Sequence, residues 1–265
     1  EMCIRDRSDG VAGGDATAWP LHGTRALAAQ LLGLIPPTLS LGIPLVWAIT
    51  NLDQLGDSLR DDLLPLSIRS LVLGISASVL AVGAALLLAI AKRWSAAVWL
   101  RSLTFLAGVG YAIPGTVLAL ALLLTGAPWQ LAPLLLLLWG YSDRFLAVAK
   151  GGLDAALERI SPNLDEAATG LGLSWRQVLR RVHLPLLRGP MTVGLLLVFV
   201  DTVKELPLTF ALRPFDFDTL SVRVYQYASD ERLAAALLPA LMILALGLVA
   251  AMALVPSLDQ ASSKG

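Results

Sequence analysis

Six long apolar stretches set the pattern of this chain: residues 26–50, 67–91, 98–124, 131–149, 189–211 and 233–256. Each approaches the ~20 residues that a helix needs to cross ~30 Å of hydrocarbon at ~1.5 Å per residue. Unpaired backbone groups are too costly to leave in lipid, so helix is the structure these stretches call for. The pattern predicts an all-α polytopic membrane protein with six transmembrane helices. The fifth stretch stands apart, because Asp201, Lys204 and Glu205 interrupt it. Pro and Gly recur inside the spans, at Pro36-Pro37, at Pro44, and at Pro114-Gly115 after Gly108 and Gly110. They predict kinks supported by neighbouring helices, or a hinge beside a path through the membrane. Gly74, Ser78 and Gly83 predict close helix packing.

Composition agrees with the pattern. Of 265 residues, 56% are hydrophobic and 15% charged, against roughly 25% charged in a soluble domain. Twenty basic and twenty acidic residues balance, which argues against a nucleic-acid partner. Cys3 is the one cysteine, so an internal disulfide or cysteine metal cluster is excluded. The opening Glu1-Met2-Cys3-Ile4-Arg5-Asp6-Arg7-Ser8 does not begin with Met and reads as a translated sequencing-adapter peptide. Residues 1–8 are therefore expected not to be native, and the protein to extend upstream. Resequencing that finds these eight codons in frame at the locus would overturn the expectation. The organisation is then an N-terminal segment 1–25, a six-span membrane domain 26–256 with a long loop at 150–188, and a tail 257–265.

Six spans put both termini on one side. Arg25, Lys92, Arg93, Lys150, Arg159, Arg176, Arg180, Arg181, Arg188 and Lys264 fall there, and Arg60, Arg69, Arg213, Arg223 and Arg232 fall opposite. The excess of Lys and Arg assigns the first side to the cytoplasm. Asp143 and Arg144 are expected near the cytoplasmic end of the fourth span, snorkelling or paired between helices.

The 150–188 loop has legible local physics. Ser161 can cap a helix that has Pro162 at its first position, with Asp165 and Glu166 in the dipole-favoured first turns. Gly170 and Gly172 can end it through a left-handed residue. Ser174 with Gln177 three residues on forms a capping-box pattern for a second helix. Arg180 and Arg181 suit its end, and Pro185 is expected to stop it. The product is a short helix–turn–helix on the cytoplasmic face.

Within this loop Glu166-Ala167-Ala168 is followed by three residues, Gly172, nine residues, and Val182-His183-Leu184-Pro185. That spacing resembles the loop pattern of binding-protein-dependent ABC importer permeases. The resemblance implies the type I ABC importer permease (MetI-like) fold in a bacterial inner membrane. It implies that Glu166, Ala167, Ala168, Gly172, Leu184 and Pro185 belong to a coupling element that seats in an ABC ATPase subunit dimer. A periplasmic substrate-binding protein, a second permease half (fused upstream or separate) and the lipid bilayer complete the implied partners. Small Ala167 and Ala168 would admit a close partner surface, and Glu166 would offer a charge to a basic residue. Tyr111-Ala112-Ile113-Pro114-Gly115, Arg159-Ile160-Ser161-Pro162 and the stretch Asp201 to Arg232 are similar to iron(III) importer permeases, above all to the C-terminal half of fused duplicates. Thiamine, polyamine and sulfate permeases share the loop pattern, so the substrate reading is open among them.

Asp201, Lys204 and Glu205 stand at i, i+3 and i+4, on one helical face. Charges there are expensive in lipid and call for a protein interior or a wet path. They are candidates for the translocation path, against the alternative of an Asp201–Lys204 pair that only locks packing. No Gly-rich phosphate loop with Lys-Ser/Thr is present. The chain is thus expected to bind no cofactor and to be no enzyme, with ATP used by the partner. An ion-coupled secondary transporter or a membrane scaffold are competing classes, and neither needs the 166–185 loop. His22 lies near the terminus and His183 in the loop, and they are not read as a metal pair.

Overall fold

The computed structural model describes residues 22–51, 63–95 and 97–262. Among these residues all regular structure is helical. Residues 1–51 and 52–265 form two compact units. The first contains α1 (Thr24–Thr50), an apolar helix in which only Ala48 is buried. Pro36, Pro37 and Pro44 lie inside it without ending it. Each withdraws a backbone donor. Hydroxyls nearby bond back to the helix, Thr38 Oγ1 donating to Leu34 O at 2.7 Å and Ser40 Oγ to Pro37 O at 3.2 Å. Residues 1–8 lie outside the described residues.

In the second unit α2 (Leu63–Trp94) is followed by α3 (Val98–Val109), α4 (Gly115–Gly126), a 3₁₀ turn at Ala127–Trp129, and α5 (Pro133–Glu158). Then come α6 (Pro162–Gly170), α7 (Trp175–Val178), a π-helical turn at Leu179–His183, and α8 (Leu184–Lys204). The chain closes with α9 (Pro207–Leu212), α10 (Leu220–Ser229) and α11 (Leu233–Ser262). Helix α11 therefore runs on through residues read as the start of a tail.

The core is a three-helix contact of α2, α5 and α8. It is possible because α2 turns small residues inward, with Gly74, Ala77, Ala81, Ala85 and Ala89 all buried. A Cβ at Gly74 would stand 2.8 Å from the Phe199 ring, so this glycine marks the tight crossing of α2 and α8. At Gly83 a Cβ would meet nothing within 4 Å, so it is not a packing point. The opposite face of α2 exposes Leu64, Ile68, Val72, Ile75 and Val79, as a helix bathed in acyl chains would.

Among the described residues four helices are long and apolar enough to cross a membrane by length and composition: Thr24–Thr50, Leu63–Trp94, Trp175–Lys204 and Leu233–Ala253. The third apolar stretch is divided between α3 and α4, broken over residues 110–114. There Pro114 lacks the N–H that would continue the ladder. The fourth stretch is the front of α5, which carries its helix well past the apolar run. The fifth begins earlier than expected, at Leu184, and breaks at Glu205-Leu206 before α9.

Candidate functional site

The helix–turn–helix at 161–185 is built by its own caps. Ser161 accepts from the Asn163 N–H at 3.3 Å, and Pro162 opens α6. At the other end Gly172 takes φ +81°, the Leu173 N–H donates to Ala168 O at 3.2 Å, and the Gly172 N–H donates to Thr169 O at 2.9 Å. These two bonds are a complete Schellman closure. A Cβ at Gly172 would meet nothing within 4 Å, so backbone strain alone opposes a side chain there. Gly172→Ala is expected to lower stability by about 1–2 kcal/mol, read by thermal unfolding of the purified protein. The Ser174 N–H donates to Gln177 Oε1 at 2.8 Å and opens α7.

The second helix does not stop at Pro185. The chain passes through the π turn, where the Leu184 N–H bonds back to Leu179 O, and continues into α8. Pro185 follows the π turn directly, and the widened turn makes room for a residue with no N–H. Helix α7, the π turn and α8 are thus one continuous helical run.

Arg93, at the end of α2, fastens this element. Its Nε donates to Asp165 Oδ2 at 2.7 Å. Its Nη1 donates to Leu157 O at 2.9 Å and Ile160 O at 3.0 Å, and its Nη2 to Ile160 O at 3.1 Å. One guanidinium therefore neutralises the carbonyl end of α5 and the acidic start of α6 together. Asp165 Oδ1 lies 2.8 Å from His183 Nε2, in contact but not aligned as a hydrogen bond. His183 is fully buried on the π turn, with its ring edge-on to Trp94 at 5.6 Å. Sequence reasoning missed Arg93, Asp165 and His183 as a group, having counted them as a charge-topology marker, a helix-dipole acid and an unassigned histidine.

Beside this fastening lies an open cleft of about 420 Å³ lined by Trp94, Asp165, Glu166, Thr169, Trp175 and Val178. Glu166 and Ala167 are exposed, whereas Ala168 is buried. Of the two alanines only Ala167 presents surface, because Ala168 falls on the inward stripe of α6. Leu171, at the turn, is 83% exposed, and Trp175 is also exposed. Leu184 is half-buried and Pro185 exposed.

A second polar group sits at the breaks inside the unit. Glu205 is half-buried and Lys204 is 62% exposed, paired with Asp201 at 2.8 Å. The three do not act as one set: Asp201 binds Lys204, while Glu205 Oε2 lies 3.6 Å from Arg144 Nε. Arg144 also donates through Nη1 to Ile113 O at 2.6 Å, in the break between α3 and α4. Arg144 was expected near a helix end. Helix α5 instead runs on to Glu158, ~20 Å further, so the guanidinium is paired between helices and does not snorkel. The Tyr141 hydroxyl shares a hydrogen bond with Thr209 Oγ1, and Thr209 Oγ1 donates to Glu205 O at 2.6 Å.

A family model described as "Binding-protein-dependent transport system inner membrane component" matches residues 81–261. The chain is 29% identical over 216 residues to the Fe(3+)-transport system permease protein FbpB 2 of Haemophilus influenzae, a match covering 77% of this chain and 42% of the relative. The chain thus spans less than half of that relative's length. Among solved structures it is similar to a bacterial alginate ABC transporter in complex with an alginate pentasaccharide-bound periplasmic protein, with TM-score 0.66, 15% identity, and 88% and 92% of the two chains covered. A second alginate-importing ABC transporter structure matches with TM-score 0.62 and 15% identity over 90% and 95% of the chains. Those two likenesses speak to the fold. The family match covers well over half of the chain, and the apolar helices fit it: this multi-pass membrane protein belongs to the family of binding-protein-dependent transport system inner membrane components.

Proposed function

We propose that the chain is a permease subunit of an ATP-binding-cassette importer, that it carries iron(III), and that residues 166–185 dock on a separate ATPase dimer. One observation carries the docking: a helix–turn–helix whose exposed Glu166, Ala167, Leu171 and Trp175 stand on a base tied down by Arg93. Exposed apolar side chains on a polar, rigidly held element are what a partner surface covers. A stiff element also transmits displacement, and here it continues directly into α8. The iron(III) reading rests on the relative from Haemophilus influenzae. A periplasmic binding protein would select the ion and deliver it.

The finer topology follows the same reading. The broken α3–α4 segment and α5 supply two further crossings beside the four long helices, which makes six. Asp201, Lys204 and Glu205 belong to the outer part of the path, and a second permease half completes it.

Co-purification from membranes tests the docking. Wild-type chain is expected to retain an ATPase subunit, and Glu166→Lys and Gly172→Asp to lose most of it with uptake of radioactive iron(III). Wild-type retention and uptake in both variants would overturn the assignment.

A further inference from the structure

The two helix breaks of the unit are held together by one charged pair. Between α3 and α4 the Ile113 carbonyl has left the helical ladder, and Arg144 Nη1 occupies it at 2.6 Å. Between α8 and α9 the Glu205 carboxylate faces three groups. Oε2 lies 3.6 Å from Arg144 Nε, Oε1 accepts from the Leu208 N–H at 3.4 Å, and a Cβ placed on Gly115 would stand 2.8 Å from Oε1. The carboxylate therefore sits between Gly115, which opens α4, and Leu208 in α9. Its own carbonyl accepts from Thr209 Oγ1 at 2.6 Å and from Ser221 Oγ at 3.1 Å, which ties in α10.

A charged pair in an apolar unit is a poor device for mere stability, because desolvation offsets much of its attraction. It is a good device for holding two alternatives apart, since either partner left alone is heavily penalised. The pair here spans both places where the backbone is already broken and can bend with the least loss of hydrogen bonds. Arg144 Nε is buried 3.6 Å from Glu205 Oε2 without a hydrogen bond, so the clasp is not saturated.

We propose that Arg144 and Glu205, closed over Gly115 and the Ile113 carbonyl, form an ionic latch that holds the two broken spans together while the path is shut and parts when it opens. The latch rests on the importer reading. Arg144 is a positioning residue in it, acting through the α3–α4 and α8–α9 breaks.

The test uses the full chain, assembled with its ATPase in lipid and carrying Cys3→Ser. A Cβ on Gly115 lies 3.3 Å from Pro207 Cβ, close to the ~3.5–4.5 Å of a disulfide. Gly115→Cys with Pro207→Cys is expected to cross-link in the nucleotide-free complex. The yield should fall at least about fivefold once the ATPase is trapped with a non-hydrolysable ATP analogue, the low end of coupling between sites. Equal yields in both states overturn the latch. In a second arm Arg144→Ala and Glu205→Gln should each raise ATP hydrolysis without the binding protein by a similar factor, and the exchange Arg144→Glu with Glu205→Arg should lower it again. Assembled single variants with unchanged hydrolysis also overturn the proposal. A purely structural pair would lose assembled complex and leave the hydrolysis per complex alone. If the single variants do not assemble, Arg144→Lys decides by the same hydrolysis readout, because it keeps the charge at 144, leaves Gly115 untouched and loses the fork that joins the Ile113 carbonyl to Glu205. If the wild-type chain retains no ATPase, the importer reading falls and the latch with it.

Discussion

Arg93→Ala will detach the 161–178 element from the core and leave the spans in the membrane, and on the proposed importer function uptake will be lost. The guanidinium is held by a carboxylate and three backbone carbonyls, those of Leu157, Ile160 and Ser161. Arg93 and Asp165 are both largely covered, at 14% and 19% exposure. Removing the cation leaves Asp165 facing the end of α5 and the buried His183 with nothing to balance it. Loss of a partly buried, charge-assisted cluster of this size costs about 2–4 kcal/mol. The damage is local, so limited proteolysis is the sensitive measurement. Cleavage should appear between residues 158 and 175 in the variant and be slow in the wild type. Arg93→Lys should recover little, because an ammonium cannot reproduce the fork that reaches Asp165 and the α5 carbonyls together. Equal protease resistance in Arg93→Ala would remove the fastening role.

Gly110→Val should be the most disruptive single change in the membrane portion. A Cβ at Gly110 would stand 2.5 Å from the Asp143 carbonyl oxygen and 3.1 Å from its carbonyl carbon. A flexible side chain could swing away from such a contact, but the backbone of a mid-helix residue in α5 cannot. The end of α3 would have to leave α5, and the Ile113 carbonyl would leave Arg144 with it. Overpacking of this kind costs about 3 kcal/mol or more when main chain is the obstacle. Gly108→Val is the matched control, since a Cβ there meets nothing within 4 Å. Thermal unfolding in detergent should separate the two variants clearly, and similar midpoints would show that α3 adapts without strain.

Local chemistry was the most legible part of this molecule. The Ser161-Pro162 start, the Gly172 turn and the Ser174–Gln177 opening depend on contacts within a few residues, and the structure forms all three. Long-range pairing was not legible. Arg93 reads in sequence as one more cation after a span, because its acceptor Asp165 lies 72 residues on. Arg144 reads as a terminal charge, because the apolar run ends soon after it although α5 does not. Asp201, Lys204 and Glu205 share a helical face on paper, yet the break after Lys204 turns Glu205 toward a different partner. Pro185 reads as a stop, because nothing in residues 179–183 announces the wider turn that makes room for it.

That wider turn fixes an angle as well as a path. An α-helix advances ~100° per residue about its axis, and the π turn at Leu179–His183 accommodates one residue more than a regular turn would. Helix α7 and the span α8 therefore share a shaft with a set rotational phase. Adding or deleting a single residue between Trp175 and Leu184 would keep both helices and their composition, but turn Trp175 by roughly 100° about that shaft, away from the α6 that Arg93 holds in place. The loop's length is consequently as much a part of its specificity as the side chains it displays, although its polar, turn-rich sequence looks like ground where insertions should be harmless.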